Sequence, residues 1–214
     1  MFKDERVLTR WLIKAVGNCD ISQVKRILHG DSLPNKPYGE LLEEYFGSYA
    51  PMIIARPDVV LIVEDYKRLL DEWFLMAIEL KYFREIEKRR WREAYREIGQ
   101  GLRYLMYGFD SAVLWHIFKK DIDDAVVKAY SDVIGEVIEK LELPIAYFST
   151  KIINETKGDF AVLKPLEPTR LVDICYVITW MINCCRDTGR NPLIPDDKEI
   201  VERRRVLKAI LKVP

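Results

Sequence analysis

The sequence predicts an α/β domain built on a mixed sheet, and three observations point there. Two apolar runs of strand length stand close together, MIIARPDVVLIV at 52–63 and FLMAIELKYF at 74–83. A long helical stripe follows them, and then another apolar run that reads as a buried strand. Finally, 49% hydrophobic residues in a chain of 214 allow one sizeable core without staples. With ten Gly and ten Pro, that composition excludes a disordered chain, a collagen-like repeat and a disulfide scaffold.

Taken in order, Val7, Trp11, Leu12 and Ala15 recur at helical spacing, and Ser22 caps a second short helix ending near Gly30. Residues 1–38 therefore read as a helical extension, closed by a turn-rich connector over 31–37. A short helix at 39–46 precedes the two strand-length runs, and the polar residues 64–73 turn a long hairpin between them. The helical period returns over 84–107, where Trp91, Ala94, Tyr95, Ile98, Leu102 and Leu105 form one stripe. SAVLWHIF at 111–118 reads as a buried strand, 123–141 as a helix with acidic residues at its start, and PIAYFSTKII with FAVLKPL as a hairpin around 154–159. A helix after Pro168 carries three cysteines, and the last helix, about 195–212, bears Arg203, Arg204 and Arg205. The chain reads as a single domain over 1–214: the extension, a core over 39–118, and helices and a hairpin over 119–214 that complete it.

Thirty-four basic and 34 acidic residues cancel, so any nucleic-acid site must be local. The start, MFKDERVLTR, is charged where a signal peptide needs an apolar stretch, and the nearly apolar run 174–185 is well short of the roughly 20 residues of a membrane span. A cytoplasmic protein with no membrane partner is expected. Scarce Gln, two in all, together with abundant Lys, Arg and Glu points to a thermophilic source. Cys19, Cys175, Cys184 and Cys185 contain no CxxC pair and sit largely in apolar stretches, so reduced, buried thiols are expected.

The residues that carry chemistry lie in the expected hairpin. Asp58 follows Pro57 on the first strand, and Glu79 and Lys81, two apart and so on one face, stand on the second. If the strands pair so that Asp58 lies beside Glu79, two carboxylates converge with an ammonium next to them. Hard oxygen ligands suit Mg2+, and a lysine can orient water and offset charge on a scissile phosphate.

This pattern, Pro57-Asp58 followed by Glu79-x-Lys81, resembles the PD-(D/E)XK nuclease superfamily, the fold of many restriction enzymes, archaeal Holliday-junction resolvases and RecB-like exonucleases. The resemblance implies a restriction-endonuclease-like mixed sheet flanked by helices, here with N-terminal and C-terminal helical extensions. In that family a helix with an acidic residue precedes the hairpin, and a helix and a further strand follow it. It implies that Asp58 and Glu79 bind Mg2+ or Mn2+, that Lys81 serves the attacking water, and that the activity is a Mg2+-dependent deoxyribonuclease. Gly39-x-x-x-Glu43 looks like the acidic helix motif, with Glu43 a further metal ligand, although Glu40 and Glu44 stand close by. Gln100-x-x-x-Tyr104 resembles the QxxxY motif of RecB-like members, which faces nucleic acid, yet helical geometry turns Gln100 away from the stripe.

Over 81–103 eight basic residues face four Glu, making Arg89, Arg92 and Arg96 candidate contacts to DNA, and the last helix is a second such candidate. RNA stays open as a substrate, and a homodimer is one assembly the resemblance allows. The cysteines have the one-plus-three distribution of an iron–sulfur cluster in some RecB-like exonucleases, but adjacent Cys184 and Cys185 point about 100° apart on a helix and cannot both ligate one. His29, read as following a helix, and His116, in a buried strand, have no partner at metal spacing and read as structural. Two other readings stay open. One is a nuclease-like fold that binds nucleic acid or a protein without catalysis; the other is an unrelated α/β protein in which the hairpin pairs differently, with Glu79 and Lys81 a surface ion pair beside a turn-forming Pro-Asp.

Overall fold

The computed structural model describes residues 2–33, 35–47, 56–65, 73–86, 91–165, 170–187 and 189–213, with the backbone alone over 35–37 and 91–96. In chain order its elements are α1 (Glu5–Gly17), β1 (Val24–His29), α2 (Asn35–Phe46), β2 (Val59–Glu64), β3 (Trp73–Phe83), α3 (Trp91–Met106), β4 (Ser111–Phe118), α4 (Asp124–Lys140), β5 (Ile145–Asn154), β6 (Asp159–Lys164), β7 (Arg170–Asp173), α5 (Ile174–Asp187) and α6 (Lys198–Leu211). The strands form one seven-stranded sheet, ordered as in the chain. β1, β2 and β3 make an antiparallel meander, β3, β4 and β5 run parallel, and β6 and β7 return antiparallel.

Parallel neighbours need a crossover, and α3 and α4 provide the two. β4 is the central strand with helices over both faces, so all eight residues of SAVLWHIF are buried and no alternation shows. On the first face, Phe74, Met76, Ile78 and Leu80 of β3 meet Leu8, Leu12 and Val16 of α1 and Val177 and Met181 of α5. On the second, Leu75 and Ala77 pack with Tyr38 and Leu42 of α2, Tyr104 and Leu105 of α3, and Leu207 of α6. Farther along that face, Phe83, Leu114 and Phe118 pack with Ile98 of α3 and Val127 and Ile134 of α4. Odd-numbered β3 residues point to the second face, so Glu79 and Lys81 emerge there, between the two apolar clusters.

Several expectations change. Residues 24–29 form a strand, not a helix: VKRILH pairs with β2 from Arg26↔Ile62 to His29↔Val59. A single short turn of helix is marginal by itself, and an apolar sheet edge offers the segment a full hydrogen-bond ladder. With β1 in the sheet and Leu8 and Leu12 of α1 in the core, the first 38 residues are integral to the domain rather than an extension. His29 thus ends a strand rather than following a helix. α2 begins at Asn35, inside the expected connector. The four-residue edge strand β7 precedes the cysteine helix, too short to announce itself by period.

Cys19 and Cys175 are joined by a disulfide, with Cα atoms 5.6 Å apart, which ties the residues after α1 to the first turn of α5. Cys184 and Cys185 stay outside the disulfide, half-buried and buried. The bonded pair is separated by 156 residues, so the pairing is a tertiary event that spacing does not reveal. In α6, Arg203 and Arg204 are buried, not phosphate-facing. Arg204 forks onto Asp110 with Nε and Nη2 each at 3.0 Å, and the Arg203 guanidinium lies 5.0 and 4.6 Å from the ring centroids of Tyr45 and Phe46. Among the described residues no helix is long and apolar enough to cross a membrane.

Candidate active site

The site starts from strand register. β2 and β3 pair Val59 with Ile78, and one step outward the same antiparallel register sets Asp58 beside Glu79. Asp58 Oδ2 accepts a hydrogen bond from the Leu80 N–H at 2.8 Å, which fixes the carboxylate to β3. Gly30, just beyond β1, donates its N–H to the Asp58 carbonyl at 2.9 Å. A Cβ on Gly30 would stand 1.9 Å from the Pro57 carbonyl oxygen, so only glycine allows β1 to close on the Pro57-Asp58 backbone.

Glu79 is approached from α3. The Tyr104 hydroxyl lies 2.5 Å from Glu79 Oε2 and 3.0 Å from the Arg56 carbonyl oxygen, with one proton for two acceptors. The Arg56 guanidinium lies 5.9 Å from the Tyr38 ring centroid, which puts a cation on the chain entering the Asp58 strand. Lys81 Nζ is 3.6 Å from Glu5 Oε2 at the start of α1, and the same oxygen accepts the Tyr82 N–H at 3.1 Å.

The electrostatics of this cluster are crowded. Burial lifts Asp58 from 3.8 to about 6, with the Leu80 hydrogen bond opposing and the Glu5 carboxylate adding to the rise. Burial and then the neighbouring Asp58 lift Glu79 from 4.5 to about 8, against the Tyr104 hydrogen bond and with Glu5 and Glu97 contributing. Burial draws Lys81 down, but Glu5 and Glu97 outweigh it and leave its ammonium above the ordinary lysine range. Burial and the Glu79 carboxylate keep the Tyr104 phenol protonated.

These groups fit a hard divalent cation. The charges of Glu5, Glu79 and Glu97 act on the Lys81 ammonium, and burial, with repulsion from neighbouring carboxylates, raises Asp58 and Glu79 above the ordinary carboxyl range. Among the described residues no three Asp, Glu, His or Cys side chains converge into a complete metal cage. Asp58 and Glu79 would therefore hold the ion as a pair, as suits Mg2+, which keeps several waters and uses one or two carboxylates together with substrate oxygens.

Of the expected site residues, Asp58, Glu79 and Lys81 lie together, and Tyr104 joins them although it lay outside the apolar stripe. Gln100, one turn earlier on α3, is half-buried. Glu43 is exposed on α2, as are Glu40 and Glu44, because Leu41 and Leu42 turn the inner side of that helix to the sheet. The acid that reaches Lys81 is Glu5 of α1. Arg89 lies outside the described residues, as do the side chains of Arg92 and Arg96. Sequence reasoning missed Glu5, Glu97, Arg56 and Gly30. Reading 24–29 as a strand would have made α1 the helix before the meander and singled out Glu5. No protein-family model matches the sequence, and no curated protein matches it.

Proposed function

We propose that this protein is a metal-dependent nuclease that hydrolyses phosphodiester bonds of DNA, with Asp58 and Glu79 as ligands of Mg2+ or Mn2+. The observation that carries the reading is the β2–β3 register, which makes Asp58 and Glu79 cross-strand neighbours with Lys81 on the Glu79 face. The order α2, β2, β3, α3, β4 adds support, because a helix, an antiparallel hairpin, a helix and a further strand are what the resemblance implies, although the acid that reaches Lys81 is Glu5 of α1. When bound, the cation supplies Lewis-acid polarisation of the phosphate. The chain's own residues do the rest. Asp58 and Glu79 give up their protons to become ligands, and Tyr104 then donates to the Glu79 carboxylate and fixes its rotamer. The Lys81 ammonium, held at Glu5, orients the attacking water and offsets charge on the phosphate as the water oxygen bonds to phosphorus, the P–O ester bond breaks and the proton released by the water ends, through solvent, on the departing oxygen.

The test is direct. Purified protein with single-stranded, duplex and branched DNA plus Mg2+ or Mn2+ is expected to cut at least one, and Asp58→Ala and Glu79→Ala to abolish cutting. Cleavage that persists in both variants refutes the assignment, and RNA in the same assay decides substrate class. A second reading, a nuclease-like fold that binds without cutting, draws on the neutral net charge and the two-carboxylate ligand set. Calorimetric titration with Mg2+ separates the two, because a binding module has no use for an ion at Asp58.

A further inference from the structure

One cation near the carboxylate pair has no part in the chemistry above. Arg56 stands two residues before Asp58, and the proline that follows it, Pro57, favours extended backbone at Arg56. Both ends of the residue are held from the second sheet face. The Arg56 carbonyl accepts from the Tyr104 hydroxyl at 3.0 Å, and the same hydroxyl lies 2.5 Å from Glu79 Oε2, so one oxygen spans Arg56 and Glu79. The guanidinium lies over the Tyr38 ring of α2, 5.9 Å from its centroid. Tyr38 and Tyr104 each stand 6.3 Å from Tyr107, edge to face, and all three rings are buried. The ring that carries the guanidinium and the phenol that reaches Glu79 therefore belong to one close-packed unit.

The guanidinium itself is left without a counter-ion. Elsewhere the fold satisfies its inward arginines: Arg190 reaches the Asp65 carboxylate, Arg203 the Met106 carbonyl and Arg204 the Asp110 carboxylate. Among the described residues no carbonyl or carboxylate meets the half-buried side chain of Arg56, whose contact is the Tyr38 ring. It pairs with neither Asp58 nor Glu79, so service as their counter-ion does not explain its place. A cation on an aromatic face keeps the N–H groups in its own plane free, and that planar fork matches two oxygens of a phosphate. Tyr38 is wholly buried, so the ring supports the cation and offers no surface to a base.

We propose that Arg56 binds a backbone phosphate of the DNA strand through its guanidinium fork, on the α2 side of the Asp58–Glu79 pair, while Lys81 is held by Glu5 on the α1 side. This inference rests on the nuclease reading and deepens it by naming a substrate-binding residue and the group it takes, a phosphodiester oxyanion.

Equilibrium binding of fluorescein-labelled single-stranded and duplex oligonucleotides, read by anisotropy with Mg2+ at several salt concentrations, tests it. An Asp58→Ala background keeps the probe uncut. Arg56→Gln is expected to weaken binding about 10–100-fold, the worth of a hydrogen bond to a charged group. It should also flatten the slope of log affinity against log salt by about 0.9 on duplex or about 0.7 on a single strand, as one lost phosphate contact does. Arg56→Lys keeps the charge without the fork, so it should keep the slope and recover only part of the affinity. Arg170→Gln, at an exposed position of β7 on the far edge of the sheet, should change neither. Far-UV circular dichroism confirms folding. Full affinity in Arg56→Lys overturns the fork contact, and this variant decides alone if Arg56→Gln does not fold. Unchanged affinity in Arg56→Gln, a loss with the slope unchanged, or an equal loss in Arg170→Gln also overturns the inference, and the nuclease reading then stands if wild-type protein cuts. Wild-type protein that binds without cutting overturns the nuclease reading while the slope still judges Arg56; protein that does neither overturns both.

Discussion

Raising the pH without a metal ion should destabilise this protein through the Asp58–Glu79 pair, and one substitution isolates the effect. Glu79 is held up to about 8 by burial and by Asp58, and Asp58 to about 6 mainly by burial. In the unfolded chain both carboxyls are solvated and titrate near 4. Between about pH 4 and pH 8 the native state therefore keeps protons that the unfolded state has released. The stability from these two groups is complete below about pH 4 and is lost as pH rises through 6 and then 8. One pH unit of displacement corresponds to about 1.4 kcal/mol, so Glu79 carries on the order of 5 kcal/mol and Asp58 on the order of 3. The two titrate as a coupled pair, which makes the larger figure a ceiling for removing Glu79 alone.

Glu79→Gln removes the titrating group and keeps its size. Urea unfolding followed by tryptophan fluorescence, with EDTA present, gives the stability of both proteins at pH 5 and pH 9. The variant should gain on the wild type by about 3–5 kcal/mol over that interval, by the same conversion. Adding Mg2+ at pH 9 should restore the wild type and not the variant, by about 2.7 kcal/mol at one hundred times the dissociation constant. A stability difference that stays flat from pH 5 to pH 9 would refute the reasoning, because it would mean that Glu79 ionises in the fold as easily as in water.

Three further outcomes follow from single contacts. Gly30→Ala sets a Cβ 1.9 Å from the Pro57 carbonyl oxygen, and since backbone must move, urea unfolding should show a loss of about 1–3 kcal/mol and calorimetry a weaker Mg2+ affinity. Tyr82→Phe removes a buried hydroxyl with no hydrogen-bond partner among the described residues, so stability should hold or rise by up to about 1 kcal/mol; a clear loss would reveal a partner. Reducing the Cys19–Cys175 bond, which spans 156 residues, should lower the unfolding free energy by about 2–5 kcal/mol, read as the shift of the urea curve with and without dithiothreitol.

Local chemistry was legible in the sequence where it depended on neighbours along one strand. Glu79 and Lys81 share a face by simple alternation, and Asp58 joins them under the one pairing that the β2–β3 register adopts. Tyr104 shows why a single stripe was too coarse. α3 crosses from one apolar cluster to another: Ile98 packs with α4, while Tyr104 and Leu105 pack with α2 and α6. A helix serving two cores buries two overlapping faces, and a single stripe that takes in Leu105 still leaves Tyr104 outside. Glu5 was hidden for a different reason. Its relevance depends on β1 entering the sheet, a non-local pairing that a six-residue segment does not declare, and the Cys19–Cys175 bond is non-local in the same way.

Acids elsewhere in the fold set Asp58 and Glu79 apart. Asp110 is matched by the Arg204 fork and by the Leu75 N–H at 2.8 Å, and Asp65 by Arg190 at 2.9 Å. In both places the fold meets a buried carboxylate with a guanidinium, as stability alone requires. At Asp58 and Glu79 it does not. The Lys81 ammonium is 39% exposed and makes its ion pair with Glu5, while Glu79 is left to a phenol and to the repulsion of Asp58. A surface ion pair between Glu79 and Lys81 would show Lys81 on Glu79 and both in water; here Glu79 is half-buried and the lysine pairs with Glu5. Local rules are broken where a binding partner completes them. The deficit at this site is positive charge facing hard oxygen donors, and the proposed divalent cation would supply it.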